Sequence, residues 1–162
     1  MGNVQKELER KFIRFVMERR KNMQKKFKVG YTTGVFDMLH VGHLNILKRA
    51  KEQCDYLIVG VSTDELVLEY KNKAPIIPFE ERVEMVEALE CVDQVVPQEN
   101  RDKFKAWNKF KFDAMFVGDD WKGKLLFVEV ERRLNEQGVE VVYFPYTKNT
   151  SSTILREKLK VI

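Results

Sequence analysis

Lys28-Val29-Gly30-Tyr31-Thr32-Thr33-Gly34-Val35-Phe36-Asp37-Met38-Leu39-His40-Val41-Gly42-His43 reads as three things in succession: a short strand over Lys28–Thr32, a turn through Gly34, and the opening of a helix at Val41. A strand that passes through a glycine turn into a helix is the first unit of a parallel sheet covered by crossover helices. It is also a ligand position. A helix N-terminus presents unpaired N–H groups and the positive end of a dipole, so a phosphate placed there meets several donors without any charged side chain. Gly34 and Gly42 permit close backbone approach. His40 and His43 are the only histidines of the chain, and their spacing puts them on one face of the first helical turn. Two imidazoles beside a phosphate can donate to the oxygens of a pentacoordinate transition state, which is the chemistry of phosphoryl or nucleotidyl transfer. Two histidines flanking a glycine, directly after a strand and a glycine turn, are hard to explain as packing. A zinc pair is the other use for them, but no third ligand of suitable type is apparent nearby.

Outward from this segment, short apolar runs alternate with helical periodicity. Further strands are expected at Tyr56–Val61, Gln94–Val96, Ala114–Val117 and Glu140–Phe144. Helices are expected at about 42–53, 64–70, 79–90, 101–110, 124–137 and 151–160, the fifth stopped by Gly138. Right-handed crossovers turn this βαβα order into an α/β fold, a Rossmann-like, doubly wound, five-stranded parallel sheet whose ligands bind beyond the carboxyl ends of the strands. No internal repeat or low-complexity tract competes.

With 162 residues, 44% hydrophobic and 33% charged, the chain has room for one core and a short appendage. That appendage is residues 1–27, where Leu8, Phe12, Phe15, Val16 and Met17 recur mostly at three- and four-residue intervals without proline, as an amphipathic helix requires. The catalytic domain is expected over residues 28–162. The formal charge of +4 is local: residues 1–28 hold ten Lys/Arg against Glu7, Glu9 and Glu18, leaving the remainder at −3. The excess lies in an arm and not in a reading motif, which argues against nucleic acid. Packing of the arm on the domain or on a partner subunit ranks ahead of peripheral membrane contact. Cys54 and Cys91 have no ligand-like spacing, so neither a disulfide framework nor a zinc site is supported. No apolar run approaches the roughly 20 residues of a membrane span, and the first 28 residues lack the apolar centre of a secretory signal. A cytoplasmic protein is expected.

The run from Gly34 through Phe36-Asp37 to His40-Val41-Gly42-His43 resembles the cytidylyltransferase family, whose members share a glycine turn with Phe-Asp followed by His-x-Gly-His. The resemblance extends from about Val29 to the C-terminus, and the glycerol-3-phosphate cytidylyltransferase type is its closest form. It implies nucleotide contacts at Thr33, Gly34, Val35, Phe36, His40, Gly42 and His43, with His40 and His43 catalytic. It implies one displacement, in which an acceptor phosphate attacks the α-phosphorus of CTP, pyrophosphate leaves and Mg²⁺ neutralises the triphosphate. No resident metal is implied beyond the Mg²⁺ that accompanies CTP. Asp37 is expected to order the turn by accepting backbone N–H bonds, since an anionic phosphate needs no base to attack.

Ser62-Thr63-Asp64-Glu65 reads as a helix start, and Lys71-Asn72-Lys73 as a loop before Pro75. Similar enzymes place two lysines one residue apart, one on the acceptor phosphate and one on the triphosphate. That assigns Lys71 to the acceptor and Lys73 to the nucleotide, with a catalytic role. Arg82 has Phe79 and Met85 three positions away and Pro78 and Val86 four away, so no carboxylate one turn along the helix can hold it. The resemblance implies that it supports the active site and a homodimer contact. Within Asn100–Lys105, either Lys103 or Lys105 aligns with an acceptor-binding lysine. Gly118-Asp119-Asp120-Trp121-Lys122-Gly123-Lys124 follows a strand and resembles the glycerol-phosphate branch, with Asp120 toward the nucleotide and Trp121 a wall of the acceptor pocket.

The third family motif, Arg-Thr-Glu-Gly-Ile-Ser-Thr, corresponds to Tyr146-Thr147-Lys148-Asn149-Thr150-Ser151-Ser152. Tyrosine stands in the arginine position and asparagine in the glycine position, while the hydroxyls remain. Tyrosine cannot offer a bidentate cationic fork, so Lys148 is the nearest compensation. Asn149 tolerates the left-handed backbone that glycine favours. Thr147, Lys148, Asn149, Ser151 and Ser152 are thus expected on the nucleotide. The partners expected are CTP and a small phosphorylated polyol, with glycerol 3-phosphate first and ribitol or choline phosphate next. Adenylyl transfer and a non-catalytic nucleotide-binding module are the alternatives.

Overall fold

The strand that opens the domain begins one residue earlier than its pattern suggests. In the computed structural model, which describes residues 6–7, 10–13, 25–145, 147 and 150–159, β1 spans Phe27–Gly34. Phe27 is buried and meets the Phe116 ring edge-on at 6.0 Å, so it belongs to the sheet and not to the arm. Of that arm, residues 6–7 and 10–13 are helical, with Phe12 and Ile13 exposed. Leu8, Phe15, Val16 and Met17 lie outside the described residues.

The other strands are β2 (Cys54–Ser62), β3 (Gln94–Gln98), β4 (Ala114–Gly118) and β5 (Glu140–Phe144). All pairings are parallel and the order is β3-β2-β1-β4-β5. This is the expected doubly wound arrangement, with its topological switch between β1 and β4. β-branched and aromatic runs make these strands because both faces are covered. One face buries Leu47, Leu57, Val59, Val86 and Phe116, and the other Tyr31, Ile58, Met115, Phe127 and Leu134.

The helices are α1 (Val41–Gln53), α2 (Asp64–Lys71), α3 (Phe79–Glu87), α4 (Lys103–Phe110), α5 (Leu125–Asn135) and α6 (Ser152–Leu159), with a 3₁₀ turn at Asp119–Trp121. Their ends follow from caps. Thr63 Oγ1 accepts the N–H of Leu66 and starts α2, and Asn72, in the left-handed region at φ 53°, closes it. Lys71 is therefore the last helical residue and not part of a loop. Asp102 accepts from Phe104 N at 2.9 Å, which moves the start of α4 from the expected 101 to 103. α3 stops three residues short of 90, because Asp93 must turn the chain beside β2, taking Leu57 N on its carboxylate. α5 ends at Asn135, and Val139 N returns to Leu134 O while Gly138 takes φ 78°. No helix among the described residues is long and apolar enough to cross a membrane.

Candidate active site

The carboxyl ends of four strands open into a cleft of about 400 Å³, floored by Thr33 and Gly34 of β1, Ser62 of β2, Gln98 of β3 and Val117 of β4. Gln98 organises that floor: its Oε1 accepts from Ser62 Oγ at 3.0 Å and from Thr33 Oγ1, while its Nε2 donates to Asn100 O.

Above the floor the Gly34–His43 segment makes a tight turn. Phe36 and Met38 hold φ of 55° and 50°, the left-handed region that costs a non-glycine residue of order 1–3 kcal/mol. Burial of the Phe36 ring, edge-on to His43 at 5.3 Å, holds the turn in place. The two imidazoles stack with ring centres 3.8 Å apart. Each Nδ1 faces the backbone: His40 Nδ1 accepts the N–H of Gly42 at 3.1 Å, and His43 Nδ1 that of His40 at 3.4 Å. The N–H of Gly42 in the first helical turn and that of the N-cap residue His40 are thus taken by the histidines. The donors on offer become the imidazole Nε2–H groups, since a ring that accepts at Nδ1 while neutral carries its proton on Nε2.

Both rings are held neutral. Burial lowers the His40 pKa, and burial, then His40 and Lys71, push that of His43 down to about 3 against an opposing pull from Asp37. A neutral Nε2–H can stabilise charge developing on a phosphate without first losing or gaining a proton.

The turn also explains Gly42. A Cβ there would lie 2.9 Å from both Nδ1 and Cε1 of His40. Gly42→Ala should therefore displace the His40 ring and lower turnover by about 10²-fold, the effect of a misplacement near 1 Å. Circular dichroism should show the fold retained, and turnover within threefold of the parent would contradict this account.

Asp37 accepts backbone N–H bonds as expected, but from a segment some 40 residues away and not from its own turn. Its buried carboxylate accepts the N–H groups of Ile76 (3.0 Å) and Ile77 (2.9 Å) and pairs with Arg156 at 2.6 Å. Burial alone would raise its pKa, but those three partners outweigh it and hold the carboxyl below its ordinary value. Arg82, read from its own helix as lacking a partner, is buried and finds one elsewhere. It pairs with Asp64 at 2.6 Å and donates to the carbonyls of Ile77 and Val35. Asp64 in turn accepts Phe79 N at 3.1 Å, capping α3, whose N-cap Pro78 has no side-chain donor or acceptor to offer.

Of the remaining residues read from the sequence, Val35, Lys71, Lys103, Asp120, Trp121, Thr147, Ser151 and Ser152 line the same cleft. Lys73 and Lys105 are exposed and are not among its lining, whereas Lys103 is. Lys148, Asn149 and Tyr146 lie outside the described residues. The cleft is cationic. Burial, then Arg101, pushes the Lys103 ammonium down to about 8, and burial, then Lys73 and Arg156, lowers that of Lys71. Cations so placed favour an incoming anion, which would restore what desolvation and mutual repulsion remove. Ser152 Oγ donates to Asp37 O at 2.8 Å and stands 3.5 Å from His40 Nε2, bringing the start of α6 against the histidines.

Tyr70, Arg101, Gln98 and Thr150 line the cleft without having been singled out. Arg101 lies between the carboxyl end of β3 and the Asp102 cap of α4. Its guanidinium sits 4.9 Å from the Tyr70 ring centre.

The cytidylyltransferase-like family model matches residues 31–158. The chain is 38% identical over 129 residues to the glycerol-3-phosphate cytidylyltransferase of Bacillus spizizenii, covering 79% of this chain and 94% of that one. It is 39% identical over 126 residues to the FAD synthase of Thermococcus sibiricus, covering 76% and 85%. Among solved structures, the lipopolysaccharide core biosynthesis protein from Thermoplasma volcanium superposes with a TM-score of 0.63 at 29% identity, covering 76% of this chain and 99% of that one. A family model matched from Tyr31 to Lys158, and relatives aligned over most of their length, make this chain a member of the cytidylyltransferase-like family and, with it, a nucleotidyltransferase.

Proposed function

We propose that the chain transfers CMP from CTP to a small phosphate ester, glycerol 3-phosphate before any other, giving CDP-glycerol and pyrophosphate. The observation that carries this reading is the pairing of two neutral Nε2–H donors at the start of α1 with hydroxyls of α6 in a cleft whose opposite side is cationic. In the step itself an oxygen of the acceptor phosphate bonds to the α-phosphorus. The bond from that phosphorus to the bridging oxygen breaks, and the electron pair leaves with pyrophosphate. The attacking phosphate is already anionic near neutral pH, so no general base is required. His40 and His43 donate to the oxygens on which charge accumulates, and Ser151 and Ser152 hold the triphosphate. Lys71 and Lys103 hold the acceptor phosphate in line.

Among the described residues no three His, Cys, Asp or Glu side chains are grouped to hold a metal ion. Asp120 is the cleft carboxylate that would face Mg²⁺ borne on the triphosphate. Bound there, the ion would neutralise triphosphate charge.

The similarity to an FAD synthase favours one second reading, transfer of a nucleotidyl group to a different phosphorylated acceptor. A pyrophosphate-release screen separates the two. The protein, with Mg²⁺, is incubated with CTP or ATP and each of glycerol 3-phosphate, ribitol phosphate, choline phosphate and FMN. Release with CTP and glycerol 3-phosphate is expected to exceed every other pair. Release with ATP and FMN alone would establish the second reading, and no release with any pair would end both.

A further inference from the structure

The segment that follows α2 begins directly after Lys71, carries Lys73 and belongs to no strand, and burial does not hold it. Lys73 and Ala74 are exposed, and Ile76 is 46% exposed. Hydrogen bonds secure it instead. Ile76 and Ile77 donate to the Asp37 carboxylate at 3.0 and 2.9 Å, and the carbonyl of Ala74 accepts from Arg156 Nη2 at 3.0 Å. The same Nη2 lies 2.6 Å from Asp37 Oδ2. Arg156 stands one helical turn after Ser152 on α6, and Ser152 Oγ bonds the carbonyl of Asp37 at 2.8 Å. Asp37 is thus held from both its ends: its carboxylate carries the lysine segment, and its carbonyl carries the start of α6. Arg156 reaches from α6 to both.

We infer that Arg156 is a positioning residue that clamps the Asn72–Ile77 segment to α6, so that seating of the nucleotide's phosphates at Ser151 and Ser152 also fixes the chain that leaves α2 directly after Lys71, the lysine that receives the acceptor. The inference rests on the functional reading above for the identity of the two ligands, and on the distances alone for the clamp. The physical reason is linkage. If α6 docks with its N-terminus on an anion, Arg156 docks with it, and the Ala74 carbonyl and the Asp37 carboxylate gain their shared donor. Any ligand that stabilises that arrangement strengthens binding of the other by the same factor. The segment then needs no packing of its own to keep its place against α6.

The test compares Arg156→Ala and Arg156→Lys with the parent in two measurements on the full chain. In steady-state kinetics with CTP and the best acceptor from the screen, Arg156→Ala is expected to raise the acceptor KM about tenfold, within the usual span of coupling between sites. The affinity of the free protein for CTP should change less than twofold. Arg156→Lys, which keeps the charge, should recover part of the loss. In amide hydrogen exchange, Ile76 and Ile77 should exchange about tenfold faster in Arg156→Ala, with the β-strands unchanged. Exchange at the parent rate at Ile76 and Ile77 would overturn the clamp. So would a loss of CTP affinity as large as the rise in acceptor KM, which would mean that Arg156 only supports α6. Absence of turnover in the parent itself would instead remove the functional reading, and the exchange comparison would still decide whether the clamp exists.

Discussion

His43→Ala should lower kcat by about 10²–10³-fold with no more than a small change in thermal stability, because it removes one preorganised donor from the position where charge develops. The effect is expected to be large for a second reason. His43 Nδ1 accepts the N–H of His40 at 3.4 Å and its ring stacks on His40 at 3.8 Å, so the alanine also frees the neighbouring imidazole to rotate. The KM for CTP should rise less than kcat falls, since the Nε2–H contact strengthens on the way to the transition state. His43→Asn, which keeps a donor on a shorter stem, should recover part of the rate. Single-turnover kinetics with CTP and glycerol 3-phosphate would check this, and kcat within fivefold of the parent would refute the mechanism. Acid should act on this residue through folding and not through catalysis. The pKa of His43 is about 3 folded against about 6.5 unfolded. The unfolded chain therefore takes up the proton first, and stability is lost as pH falls from about 6.5 toward 3.

Arg82→Ala should be the most destabilising single substitution within the site's supporting structure. The Arg82 side chain is fully buried, and it neutralises Asp64 and satisfies the carbonyls of Val35 and Ile77. Removing one partner of a buried ion pair costs about 3–5 kcal/mol when the other is left unsolvated. The Asp64 side chain is 38% exposed and can recover some hydration, so the lower end is expected, about 3 kcal/mol. That corresponds to a fall in Tm of roughly 6–12 °C for a domain of this size. Activity should fall with it, because the Val35 carbonyl borders the cleft. Thermal melts followed by circular dichroism would measure it, and a shift under 2 °C would show that Arg82 is not the tie between α2, α3 and the first turn.

These two residues mark the limit of what could be read along the chain. His43 was legible because its chemistry lies in local spacing: a strand, a glycine and two histidines within one helical turn. Gly42 was legible as to its identity but not its reason. Its missing Cβ makes room for the His40 ring and not for a phosphate alone, a fact about a rotamer. Arg82 was not legible from its own helix, where no carboxylate lies one turn away, because its partner Asp64 is 18 residues distant. Lys71 falls in α2 and not in a loop because Asn72, and not Lys71, takes the left-handed turn that closes the helix, and only the backbone shows which of the two does so.

The five parallel strands, their alternation with helices and the place of the phosphate site follow from patterns of a few residues: apolar runs, caps and a glycine turn at a helix start. Such patterns act within the reach of a side chain along its own backbone, so a single sequence displays them directly. The placing of Lys103 and not Lys105 in the cleft, the burial that keeps both histidines neutral and the bond from Arg156 to Asp37, 119 positions away, were decided only when the sheet closed. Each depends on which groups the topology brings within 3 Å of one another and away from water, and spacing along the chain does not record that distance.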